Sequence, residues 1–204
     1  MSEIYALSDD ALTPPQTIFL QIDEILRCGV KLVQYRSKLA ARDEALIRSL
    51  IGLCEDYGAK LIINDDAALA KKLGAHGVHI GADDGETAQV REFLGADKII
   101  GVSCYAGLAR AQKAEAQGAS YVAFGSLRRG KTKPDAPLCP DALVQEARKS
   151  LNLPIAVIGG ISLENLNEIL ALKPDYIAMV EAIYRPASIT QNLANLKEKM
   201  DEYI

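Results

Sequence analysis

The chain has 204 residues, 49% of them hydrophobic and 25% charged, with a formal net charge of −4. Such a balance excludes a disordered or low-complexity polypeptide and suits one globular domain, read here as residues 1–204. The slight acidity gives no general attraction to nucleic acid. No apolar run approaches the roughly 20 residues of a membrane span, and the acidic start MSEIYALSDD carries no signal peptide, so a cytoplasmic protein is expected.

Apolar runs and helical stripes alternate along the whole chain. Ile4–Ser8 reads as a first strand. Pro14 and Pro15 open a helix with Ile18, Ile22, Ile25 and Leu26 at helical spacing, and Gly29 follows its end. Leu32–Lys38 is a second strand. Arg42–Tyr57 is a helix with Leu46, Ile47, Leu50 and Leu53 on one stripe. The third strand, Leu61–Asn64, lacks alternation, as a parallel strand buried on both faces does, and a helix follows it to about Gly74. Further strands are expected at Gly77–Gly81, Lys98–Cys104, Tyr121–Leu127, Pro154–Gly160 and Tyr176–Ile183. Each is followed by a helix, the last from about Ala187 to Met200. Eight strands alternating with eight helices is the count of an α/β fold of one kind, a single (β/α)8 TIM barrel. A doubly wound sheet would more often carry G-x-G-x-x-G after its first strand, and none is present. The four cysteines, Cys28, Cys54, Cys104 and Cys139, form no C-x-x-C and are expected to be reduced thiols.

In such folds the chemistry gathers at the C-terminal ends of the strands. The second strand brings Gln34, Arg36 and Lys38 at spacing two, hence on one side, and cationic forks and point charges of this kind suit phosphate oxygens. The third strand ends in Asp65-Asp66, where an Asp is either a helix cap or a ligand. The fourth is followed by Asp83-Asp84. Acids on neighbouring strand ends repel unless a cation lies between them, and carboxylates plus substrate phosphates are the usual ligands of Mg²⁺; a pair of helix caps is the competing view. His76 and His79, three apart in an extended segment, point to opposite faces, so His79 reads as a hydrogen-bonded core histidine. Ser103 could donate to a ligand. The loop 125–137 holds Arg128, Arg129, Lys131, Thr132 and Lys133, five donors suited to closing over a polyanion. Gly159-Gly160 would let backbone N–H groups approach a phosphate.

These pieces, in this order, resemble the thiamine-phosphate synthase family. The resemblance runs over nearly the whole chain through QYRSK, IINDD, GVHIG-x-x-D, GVS, GASYVAFGS, TKPDAP and PIAVIGGI. It implies a barrel that joins 4-amino-5-hydroxymethyl-2-methylpyrimidine diphosphate to a thiazole phosphate, giving thiamine phosphate and pyrophosphate. Carried over by residue, it implies that Arg36, Lys38, Asn64 and Lys133 bind the diphosphate and that Asp65 and Asp84 hold Mg²⁺. Gln34 would line the pyrimidine pocket, and Ser103 would lie near the leaving group. Gly160, with Val180 and Glu181 of the eighth strand, would meet the thiazole phosphate. Arg36, Ser103 and Lys133 are the expected catalytic residues, with Thr132 a further substrate contact. The partners implied are small molecules, with a homo-oligomer left open.

Three positions depart from the family pattern. Ala82 replaces the Gln of G-Q-x-D, Gly130 removes a hydroxyl from T-x-T-K, and Glu181 replaces the Ser of V-S-A-I. A carboxylate there is expected to handicap the thiazole-phosphate site. The TenI-like thiazole tautomerases are similar but use a histidine after the fifth strand, where this chain reads Ser103-Cys104-Tyr105. A non-catalytic phosphate-ligand-binding paralogue is the alternative from another class; retention of both acids speaks against it.

Overall fold

The computed structural model describes residues 2–39, 41–130 and 137–203. Eight parallel strands close into a barrel in sequence order: β1 (Glu3–Leu7), β2 (Leu32–Tyr35), β3 (Lys60–Asn64), β4 (Gly77–Ile80), β5 (Ile99–Tyr105), β6 (Tyr121–Phe124), β7 (Ile155–Ile158) and β8 (Tyr176–Met179), which pairs back onto β1. The helices are α1 (Ile18–Arg27), α2 (Glu44–Asp56), α3 (Ala67–Leu73), α4 (Thr87–Leu94), α5 (Leu108–Ala116), α6 (Asp141–Ser150), α7 (Leu166–Leu170), α8 (Glu181–Tyr184) and α9 (Ile189–Glu202). None of them is long and apolar enough to cross a membrane.

The core has two layers. Between wall and helices pack the outward strand residues and one face of each helix, such as Ile22, Ile25 and Leu26 of α1. On α2 the buried stripe is Ile47, Leu50, Ile51 and Cys54, and the expected members Leu46 and Leu53 are only half-buried. The buried face thus takes in Ile51 and Cys54, the latter packing as a small apolar group. Inside the barrel lie Tyr5, Leu32, Ile62, Tyr121, Ala156 and Ala178. The rings of Tyr5, Tyr121 and Tyr176 meet edge to face there, with centroids 5.8–6.4 Å apart. Gly101 makes room for them: a Cβ on it would lie 2.0 Å from the Tyr121 ring.

Several strands end before the sequence suggests, β6 at Phe124 and β7 at Ile158 among them, and two of the early ends bear on the site. β2 stops at Tyr35, not Lys38, because the next backbone groups find side-chain partners instead of a ladder. Arg36 N–H donates to Ser8 Oγ at 2.7 Å and Lys38 N–H to Asp10 Oδ2 at 2.7 Å. β8 stops at Met179, and residues 181–183, expected to continue it, belong to the one-turn helix α8. A short apolar run such as YIAMVEAI has no period that separates strand from helix.

Candidate active site

The segments after β2, β3 and β4 bring Lys38, Asp65 and Asp84 together. Asp65 directly follows β3. Its backbone is left-handed, with φ +64°, and its N–H donates to the His79 carbonyl at 2.8 Å. Such a conformation is costly for a side chain other than glycine and is kept where the surroundings enforce it. Lys38 reaches across from the end of β2, and its Nζ lies 2.5 Å from Asp65 Oδ2. Asp84 sits in the turn after β4, its Oδ2 accepting from Gly81 N–H at 2.6 Å. The Asp65 and Asp84 carboxyls lie close enough to act on each other's ionisation. Burial pushes the Asp84 carboxyl above the usual carboxylate range, and the neighbouring Asp65 adds to this. Burial acts in the same direction on Asp65, but the Lys38 ammonium outweighs it and holds Asp65 below that range.

Two carboxyls meeting in this way need a proton or a cation between them. No group of three or more His, Cys, Asp or Glu among the described residues could hold a metal alone. A pair of carboxylates open to the mouth nevertheless fits Mg²⁺, which takes one or two carboxylates and fills its remaining positions with water and substrate phosphates.

The neighbouring acid has a different task. Asp66 caps α3, its Oδ1 accepting from Leu69 N–H at 2.8 Å and its Oδ2 from Arg42 Nη1 at 2.9 Å. The cap reading is thus realised in Asp66, while Asp65 makes no cap and turns to Lys38 instead. Asn64 ends β3 half-buried, and Arg36 is half-buried beyond β2. Gln34 is buried inside the barrel, where its Nε2 donates to the Tyr5 hydroxyl at 2.8 Å.

Ser103 lies near the end of β5, with Oγ 2.8 Å from His79 Nε2. His79 is a buried, hydrogen-bonded residue, and its Nδ1 is 2.8 Å from the Tyr121 hydroxyl. Burial pushes the imidazole down to about 4. Sequence reasoning did not single out Arg110 of α5. Its guanidinium donates to the Ser103 carbonyl at 2.7 Å and to the Gly81 carbonyl at 2.8 Å, tying the ends of β5 and β4 together. Tyr5 and Tyr121 were missed as well; the one signal was Gly101, a glycine inside a strand.

Across the mouth lie Gly159 and Gly160, both left-handed, with φ +106° and +59°. The loop after β6 packs directly on them, and a Cβ on Gly160 would lie 2.7 Å from backbone atoms of Arg128 and Arg129. The pair therefore serves close packing of that loop. Arg128 is anchored: its guanidinium bonds Asp141 at 2.8 and 2.9 Å and Glu168 at 3.0 Å, so it does not offer its fork to a polyanion. Val180 is the N-cap of α8 and Glu181 its first residue, half-buried, which corrects their placement on a strand. Lys131, Thr132 and Lys133 lie outside the described residues.

Comparison with known proteins adds to this geometry. The family described as thiamine monophosphate synthase matches residues 4–183. The thiamine-phosphate synthase of Nitrosococcus oceani is 44% identical over 188 residues, covering 91% of this chain and 87% of that protein. That of Thioalkalivibrio sulfidiphilus is 42% identical over 183 residues, covering 89% and 87%. The solved thiamine phosphate pyrophosphorylase of Pyrococcus furiosus superposes with a TM-score of 0.87 at 27% identity, covering 99% of this chain and 96% of its own. A 3-hexulose-6-phosphate synthase, 18% identical with a TM-score of 0.75, shares the fold.

Proposed function

The chain belongs to the thiamine monophosphate synthase family, and from that premise we infer that it is a thiamine-phosphate synthase. It condenses 4-amino-5-hydroxymethyl-2-methylpyrimidine diphosphate with 4-methyl-5-(2-hydroxyethyl)thiazole phosphate to give thiamine phosphate and pyrophosphate. The observation that carries the site assignment is the meeting of Asp65 and Asp84 across the ends of β3 and β4, with Lys38 bonded to Asp65.

The chemistry needs no side-chain nucleophile. The bond from the pyrimidine methylene to the diphosphate oxygen breaks, and the electron pair leaves with the diphosphate. The electron-rich aminopyrimidine bears the positive charge, and the thiazole nitrogen lone pair then forms the new carbon–nitrogen bond. What the protein must supply is neutralisation of the leaving group. Arg36 and Lys38, just beyond β2, and Lys133, which follows β6 in the sequence, supply cations for that purpose, and Asn64 adds a neutral donor. Asp65 and Asp84 would hold Mg²⁺, which when bound offsets diphosphate charge. Gln34 borders the pyrimidine, and Ser103 stands beside the leaving group. Thr132 is a further substrate contact on the loop after β6. Gly160, Val180 and Glu181 border the thiazole phosphate on the opposite side of the mouth.

Pyrophosphate release, followed with each substrate omitted in turn and across a Mg²⁺ titration, tests this reading. Release should require both substrates and stop when Mg²⁺ is chelated. Full release in the presence of chelator would remove the metal assignment of Asp65 and Asp84.

A further inference from the structure

Five side chains from five strands form one continuous hydrogen-bonded chain through the barrel. Gln34 Nε2 donates to the Tyr5 hydroxyl at 2.8 Å, and the Tyr5 and Tyr121 hydroxyls are 2.9 Å apart. The Tyr121 hydroxyl is 2.8 Å from His79 Nδ1, and His79 Nε2 is 2.8 Å from Ser103 Oγ. Four members are buried, and Ser103 alone is partly open at the mouth. Burial raises both phenols, so both keep their protons at physiological pH.

The proton positions follow by elimination. Each phenol has one proton to give. Tyr5 already receives the amide proton of Gln34, and among the described residues Tyr121 is its other hydrogen-bond partner. If Tyr121 donated to Tyr5, the Tyr5 proton would be buried without an acceptor, which protein interiors avoid. Tyr5 therefore donates to Tyr121. Tyr121 passes its own proton toward His79 Nδ1, which becomes an acceptor. A neutral imidazole then carries its proton on Nε2 and donates it to Ser103 Oγ. Having accepted, Ser103 keeps its hydroxyl proton for a group in the mouth.

We propose that Gln34, Tyr5, Tyr121 and His79 form a directional relay that fixes the His79 tautomer and leaves the Ser103 hydroxyl as a donor to an acceptor oxygen of the diphosphate. Tyr5, Tyr121 and His79 are positioning residues that act through Ser103. The identity of the acceptor rests on the proposed function; the tautomer does not.

The test is nitrogen–proton correlation spectroscopy of the unliganded, ¹⁵N-labelled protein at neutral pH, paired with kinetics. The chain has 2 histidines, so only His76 and His79 contribute imidazole signals. Signals that persist in His76→Gln belong to His79. In the wild type His79 should be a single tautomer, protonated on Nε2 and bare on Nδ1. In Tyr121→Phe the tautomers should mix, and kcat for thiamine phosphate formation should fall about tenfold with both KM values within about twofold. A wild-type His79 protonated on Nδ1 overturns the proposal, because Ser103 would then spend its proton on the imidazole. A Tyr121→Phe protein that keeps the single Nε2 tautomer overturns it too. The wild-type spectrum decides even if the variant does not fold. If the wild type makes no thiamine phosphate, the functional reading fails while the spectrum still reports the relay.

Discussion

Asp65 and Asp66 are adjacent in sequence and opposite in use. Asp66 spends its carboxylate on the first turn of α3 and on Arg42. Asp65 is turned by its left-handed backbone toward Lys38 and Asp84. Asp66→Ala should therefore lower stability by about 1 kcal/mol and leave kcat nearly unchanged. Asp65→Ala should lower kcat on the order of 10²-fold with little loss of stability. Urea unfolding and steady-state kinetics on both variants check this, and the reverse pattern would exchange the two roles. His79 gives a pH dependence. Burial lowers its imidazole from 6.5 to about 4, so the unfolded chain takes up the proton first. Its contribution to stability is whole above the unfolded value and drains away as pH falls toward the folded one. Between about pH 7.5 and 5 the wild type should lose roughly 2 kcal/mol more than His79→Gln. Parallel loss in the two proteins would show that the ring is not buried neutral. The acids and Lys38 were legible because each follows an apolar run. Tyr5 and Tyr121 were not, since they meet across 116 residues, and Arg110 was not, since it bonds backbone carbonyls, which carry no residue signature.

At the scale of elements, all eight strands were legible, because parallel strands buried on both faces read as short apolar runs between helical stripes. Their ends were less so. The end of β2 depends on Ser8 and Asp10, which a strand pattern does not contain, and the turn from β8 into α8 is marked in the apolar run by Glu181 alone. That turn bears on Glu181. As the first residue of α8 it still follows the strand that we propose borders the thiazole phosphate. A carboxylate about 5 Å from a phosphate is repelled by roughly 1–3 kcal/mol at an effective dielectric near 20. Glu181→Ser should lower the KM for thiazole phosphate about tenfold and hardly change that for the diphosphate substrate, whose groups lie across the mouth. An unchanged constant would show that α8 points the carboxylate away. A raised one would show that Glu181 serves another second substrate.

Barrel closure in sequence order places the ends of β2 to β5 on one side of the mouth and those of β7 and β8 on the other. Two phosphorylated substrates can thus approach each other over a buried floor of tyrosines, one carrying the leaving group and the other the attacking nitrogen. That division of the mouth is the central claim at the scale of the whole molecule. It is tested most directly by supplying the purified protein with both substrates and Mg²⁺ and quantifying thiamine phosphate and pyrophosphate together. The account predicts that the two products appear in equal amounts and that neither forms when one substrate is withheld. Conversion of a thiazole compound without the pyrimidine diphosphate, or no product from the complete mixture, would contradict it.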